Sequence, residues 1–180
     1  MKKNYWSLFI LIFITAVSGY SQTVINPAVN TPTSFAIIID STSYIKAQNA
    51  VNAYKEVIEK DNLATYIIID NWKSPDDIKA FLWKLYNDKK MPLEGAVFIG
   101  DIPIPMLRDA QHLTSAFKMD QRRNWTQSSV PSDRFYDDFD LKFDFLKQDE
   151  ERPELFYYSL RHDGSQQLNS DIYTGRIRPY

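Results

Sequence analysis

The 180-residue sequence contains no cysteine, and that absence excludes two things at once. A disulfide scaffold is impossible, so stability has to come from burial, and the chain by itself is not a complete thiol enzyme. Glycine is nearly as scarce. The five glycines, Gly19, Gly95, Gly100, Gly164 and Gly175, are too scattered for a dinucleotide fingerprint or a phosphate loop, and no Gly-x-Ser-x-Gly elbow occurs. The two histidines, His112 and His162, lie far apart and lack metal-ligand spacing, which reads against zinc and for surface positions. Charge is nearly balanced at -2, with no basic run clear of acidic neighbours, so neither nucleic acid nor an anionic membrane surface is indicated as a partner. No motif requires a cofactor.

A membrane-spanning run is lacking too. Leu8 to Val17 is apolar but holds about ten residues where a bilayer needs about twenty. Lys2 and Lys3 precede it, and Gly19 and Ser21 stand at the small-residue positions before a cut at Gln22. Residues 1–21 are therefore expected to be a signal peptide, and the mature protein to be secreted, periplasmic or at the cell surface with no membrane segment. Residues 22–34, rich in Pro, Asn and Thr, read as a linker or extended lead-in.

What is present is a β-α rhythm. Phe35 to Ile39 is a continuous apolar, β-branched run suited to a strand covered on both faces, followed by capping residues Asp40 to Ser43. Ala47, Val51, Tyr54 and Ile58 recur at helical spacing, with Lys55, Glu56, Glu59 and Lys60 expected outward. A second strand, Tyr66 to Ile69, ends in Asp70. Ser74-Pro75-Asp76-Asp77 starts a helix whose buried stripe is Ile78, Phe81, Leu82 and Leu85, stopped before Pro92. Glu94 to Pro105 then gives a third strand, bounded by Gly95 and Gly100, from which Pro103 and Pro105 lead away as a stiff extended segment. This pattern predicts an α/β fold, a mainly parallel sheet with flanking helices, in which Asp40, Asp70 and Asp101 reach one edge. Carboxylates at that edge serve either as ligand-facing groups or as helix caps and turn formers. An aspartate-nucleophile phosphatase fits poorly, because no second acid stands close to hold Mg²⁺.

Beyond Pro105 the pattern loosens. Thr114 to Met119 reads as a short strand or one helical turn. In Pro131 to Asp140 aromatic and acidic residues alternate, which neither a helix nor a half-buried strand asks for. Two readings stay open: a solvated acidic loop, or a Ca²⁺ site built from Asp133, Asp137, Asp138 and Asp140. Leu155 to Leu160 and Asp171 to Ile177 are predicted strands. No covering helix follows the second, so the sheet is expected to be incomplete at Tyr180.

Three segments, Gly95 to Pro103, Pro131 to Asp140 and Ile172 to Ile177, resemble in order and spacing the gingipain-type cysteine peptidases. The resemblance spans about 80 residues and implies a caspase-like α/β fold, with residues 35–180 forming the amino-terminal half of an exported bacterial peptidase domain. In that family a histidine polarises a cysteine thiol, the thiolate attacks the scissile carbonyl of a protein or peptide substrate, and backbone donors hold the oxyanion. Both dyad residues would follow Tyr180, and neither His112 nor His162 has the family's Gly-His-Gly context, so no catalytic residue is expected in this chain. The acidic segment departs from the family in lacking the Asp-Gly that often ends it. The alternatives are a non-catalytic relative used in surface binding or secretion, and a self-contained flavodoxin-like binding module.

Overall fold

The structure, a computed structural model, describes residues 22–110, 119–167 and 169–178. The expected signal peptide, His112 and nearly all of the Thr114 to Met119 segment lie outside them. Apolar β-branched runs build the centre. Strand β1 is Thr23–Ile25, β2 Ser34–Asp40, β3 Ala64–Asp70, β4 Leu93–Ile99 and β9 Tyr173–Ile177, and they form one sheet in the order β1-β3-β2-β4-β9. The last four run parallel, while β1 pairs antiparallel along the outer side of β3. Every residue of β2 is buried, as a strand covered on both faces requires.

Helix α1, Ser41–Lys60, joins β2 to β3, and helix α2, Pro75–Tyr86, joins β3 to β4. They cover opposite faces. Val51 of α1 packs with Phe35, Ile37, Ile39, Ile67 and Val97, whereas Ile78 and Leu82 of α2 pack with Ala36, Ile38, Ile68 and Phe98. Ser74 caps α2 by accepting the Asp77 amide hydrogen bond, with Pro75 in the first turn.

Between β4 and β9 the chain builds a second sheet instead of another simple crossover. Its strands are β5 (Ile104–Arg108), β6 (Val130–Pro131), β7 (Phe143–Gln148) and β8 (Leu155–Leu160), in the order β6-β5-β8-β7. Only β5 and β8 are parallel to each other. Two short helices, α3 (Trp125–Ser128) and α4 (Arg134–Asp137), lie in the same stretch. Phe135, Tyr136, Phe156 and Tyr158 from this unit join the α2-side core, so the second sheet helps clothe one face of the first.

Of the two readings of the lead-in, the extended one describes Thr23–Ile25: β1 pairs with β3, and buried Thr31 accepts the Ala64 amide. Pro105 continues the extended segment into β5, and its carbonyl accepts from the Ser132 amide. The strand at 155–160 belongs to the second sheet. In α1, Ala47, Val51 and Ile58 pack on the core as their spacing predicts, but the remaining inward position is held by Lys55 and not by Tyr54. Lys55 is buried and pairs with Glu59, whose carboxylate also accepts from Ala28 and Thr65, while Tyr54 is exposed. Among the described residues no helix is long and apolar enough to cross a membrane.

The β4–β9 join explains Gly95. The Tyr173 ring lies flat where a Cβ at Gly95 would be, stacked 5.8 Å from Phe35, and its hydroxyl donates to Glu94 at 3.2 Å. Partial burial, with the Glu94 charge, pushes the Tyr173 phenol up to about 12. Replacing Glu94 by Gln should move this ionisation back toward the ordinary tyrosine value near 10, read by NMR of ring-labelled tyrosine through a pH titration. An unmoved Tyr173 signal contradicts the assignment. Because the folded value exceeds the unfolded one, the stability linked to this phenol is intact below about pH 10 and is lost as pH rises toward 12.

Candidate functional site at the carboxyl edge of the sheet

The parallel strands end together, and their register sets Asp40 beside Asp70. Asp40 is turned inward. Its carboxylate accepts the Ser43 amide at 2.9 Å, capping α1, and the Asp101 amide at 2.8 Å. Burial pushes this carboxyl up, but the bonds from Ser43, Asp101 and Thr42 outweigh it and hold the pKa below the usual carboxylate value. Gly100 makes the approach possible: its φ of +87° suits glycine, and a Cβ there would run into the Asp40 carboxylate and Ser43. Asp70 accepts from the Asn71 amide and so shapes its own turn, whereas the Asp101 side chain is exposed. Of the three edge aspartates, one is a structural clasp and two face the surface.

Trp72 stands between two open clefts at this edge. Its indole N–H donates to the Ile39 carbonyl, the last apolar residue of β2, at 3.4 Å. On one side a cleft of about 350 Å³ is lined by Trp72, Lys73, Asp101, Pro103, Glu154 and Phe156, among others. On the other, one of about 560 Å³ includes Asp70, Lys73, Asp77, Phe81 and Lys84. This is the crevice outside the strand ends where open α/β sheets place their ligands. It offers an aromatic wall, cations and carboxylates. No thiol exists in the chain to complete it, and His162 is exposed in the turn after β8.

The acidic segment is folded into the molecule and not solvated as a loop. Residues 134–137 make one helical turn, and Asp137 and Asp138 are buried. The helical turn answers the alternation: it sends Phe135 and Tyr136 into the core while the acids find partners. Asp133 pairs with Arg176 at 2.7 Å. Asp137 takes Arg134 and the Thr174 hydroxyl, and Asp138 accepts the amides of Asp140 and Leu141. Burial pushes the carboxyls of Asp137 and Asp138 up. Asp140 is exposed, and among the described residues no three such groups converge as a metal site. Ca²⁺ takes six to eight oxygens, whereas Asp133 and Asp137 are paired with arginines here, Asp138 Oδ2 is buried without a hydrogen-bond partner among the described residues, and Asp140 is exposed.

Sequence reasoning missed the residue that joins these parts. Arg176 of β9 donates to both Asp133 oxygens, to the Ile102 carbonyl at 2.9 Å and to the Pro103 carbonyl at 3.2 Å, with its guanidinium 5.2 Å from the Phe98 ring centroid. Tyr136, fully buried, donates its hydroxyl to the same Pro103 carbonyl. The available signal was an arginine inside a short strand whose partner strand, β4, is almost wholly apolar. The chain matches no family model, no curated protein and no solved structure.

Two outcomes follow from this geometry. Asp40→Ala should cost about 1–2 kcal/mol at pH 7, measured by urea unfolding. Because the Asp40 pKa is depressed in the fold, the deficit should shrink as pH falls below the ordinary carboxylate value and the wild type loses the same charge. A deficit unchanged at pH 3 would refute the clasp. Arg176→Lys keeps the charge but loses the planar fork, and should cost about 1.5–3 kcal/mol; a variant as stable as wild type would show the fork to be dispensable.

Proposed function

We propose that this chain is the amino-terminal part of the peptidase domain of an exported bacterial cysteine endopeptidase of the gingipain type, with a caspase-like sheet whose catalytic His and Cys are encoded after Tyr180. The observation that carries the reading is the meeting of three separate segments on one guanidinium. Those segments, the β4 end with Ile102 and Pro103, the acidic turn with Asp133 and Tyr136, and the Gly-Arg strand with Arg176, are the ones whose order carries the family resemblance. The parallel strands follow the order 2-1-3-4, the beginning of a doubly wound sheet. The edge at β3 is covered by β1, whereas β9 has only β4 as a partner among the described strands. A parallel strand added beside β9 would end at the same edge as Gly100 and Asp101.

In this reading the chain supplies scaffold and not chemistry. The Asp40 clasp and the Arg176 fork fix the loops around the crevice, where an extended protein or peptide substrate would lie. A thiol activated by histidine would come from the remaining half of the domain. The chain to Tyr180 should therefore hydrolyse no peptide by itself.

The test is the coding sequence beyond Tyr180, followed by expression of the complete protein. A Gly-His-Gly and a later strand-end cysteine are expected. Peptide hydrolysis should disappear on replacing that cysteine by Ala, and the secreted chain should begin at Gln22. A following sequence without a cysteine, together with cooperative unfolding of residues 22–180 alone, would instead identify an exported binding module.

A further inference from the structure

The amino-terminal lead-in also reaches the carboxyl edge of the sheet. Strand β1 pairs antiparallel with β3 in the register Thr23↔Ile69, Val24↔Ile68 and Ile25↔Ile67, so one step back sets Gln22 across from Asp70. Gln22 is half-buried and helps to line the cleft of about 560 Å³ that has Trp72 and Phe81 as apolar walls. Lys73 and Lys84 share that cleft with the carboxylates of Asp70 and Asp77, and these charges balance as they stand. The Asp70 carboxylate also accepts the Asn71 amide. Gln22 is, in addition, the residue that follows the expected signal cut, with Gly19 and Ser21 at the small-residue positions before it. Cleavage there would place a new α-amine in this cleft.

We propose that Gln22, once it is the first residue of the chain, closes on itself to pyroglutamate, and that the neutral ring becomes part of the cleft wall. This closure presupposes the export proposed above. It needs no other reagent. The lone pair of the unprotonated α-amine attacks Cδ of the same residue's carboxamide, a bond forms between N and Cδ, and the bond from Cδ to Nε2 breaks. The proton lost by the α-nitrogen leaves with Nε2 as ammonia. An ordinary α-amine has a pKa of about 8, so a useful share is unprotonated near neutral pH, and nucleophile and carbonyl are held together within one residue. Because the ladder starts at Thr23, ring closure leaves all of the β1 pairs in place. An α-ammonium would add an unmatched cation beside Lys73 and Lys84, half-buried against apolar walls. The ring instead turns methylene groups toward Trp72 and Phe81 and keeps an N–H and a carbonyl for polar neighbours. The mature chain then brings no terminal cation to the crevice and offers no amine to aminopeptidases.

The experiment expresses the full chain from Met1 in a secreting bacterial host and takes the exported product directly to intact-mass and amino-terminal peptide mass spectrometry. The product should start at Gln22 and be lighter by one ammonia, whereas Gln22→Ala should be cut at the same bond and keep its amine. Pyroglutamate aminopeptidase should strip the ring from the isolated amino-terminal peptide at least about tenfold faster than from the native chain, where pairing with β3 holds it in the cleft. A free amine at Gln22, or a blocked one in Gln22→Ala, overturns the ring and leaves the proposed export standing. A start at any other residue overturns that export, and the ring with it. Equal stripping of peptide and native chain overturns the ring's place in the cleft.

Discussion

The guanidinium of Arg176 is the constraint on which the arrangement of the two sheets depends. An arginine can be placed against an apolar core only if its donors are met, and here both oxygens of Asp133 and two carbonyls of the chain leaving β4 meet them. Each acceptor belongs to a different part of the molecule from β9. Satisfying the arginine therefore fixes the path of residues 102–103, and with it the start of β5 and the docking of the second sheet. The Phe98 ring below and the Tyr136 hydroxyl on the Pro103 carbonyl hold the same junction from the core side.

The Asp40 clasp does a comparable job a few residues away. One carboxylate caps the helix leaving β2 and receives the backbone of the turn leaving β4, so two neighbouring strands end in loops that cannot move independently. The exposed part of the edge, around Trp72 and Asp101, is thus mounted on a rigid base. Recognition surfaces in open α/β sheets are built this way, with the variable groups on loops and the fixed ones beneath.

The central strands and α2 were legible because their physics is local. Phe35 to Ile39 is continuously apolar since both faces are covered, and Ser74-Pro75 announces a helix start by its own chemistry. The second sheet was not legible from such signals. Its β7 alternates with charged and exposed residues, β5 begins at a proline-flanked turn, and the parallel β5–β8 pairing joins residues far apart in sequence. In α1 the turn between Val51 and Ile58 can bring either Tyr54 or Lys55 inward, and it is Lys55, paired with Glu59, that is buried, so the periodicity that correctly announced a helix misassigned these two. At the edge, chain order alone brought Asp40, Asp70 and Asp101 together. Which of them turned inward depended on Gly100 and on the amide of Asp101, contacts that no spacing rule contains. The acidic segment was illegible for a related reason: Asp133, Asp137 and Asp138 are met by Arg176, Arg134 and backbone amides that come from elsewhere in the chain or from the turn itself.

The distance along the chain between Arg176 and the carbonyl of Ile102 is 74 residues, and this separation orders events during synthesis. A chain emerging amino-terminus first can assemble β2, α1, β3, α2 and β4 from near neighbours while β9 has yet to arrive. Through that interval Asp133 and the two carbonyls lack their shared cation, and the far side of β4 is bare. The molecule passes through a stage in which its half-built sheet is open to another copy, and the interval lasts as long as the intervening sheet takes to be delivered. Elongation rate thereby becomes a determinant of yield, with slow delivery of residues 100–172 lengthening the exposure and rapid delivery curtailing it.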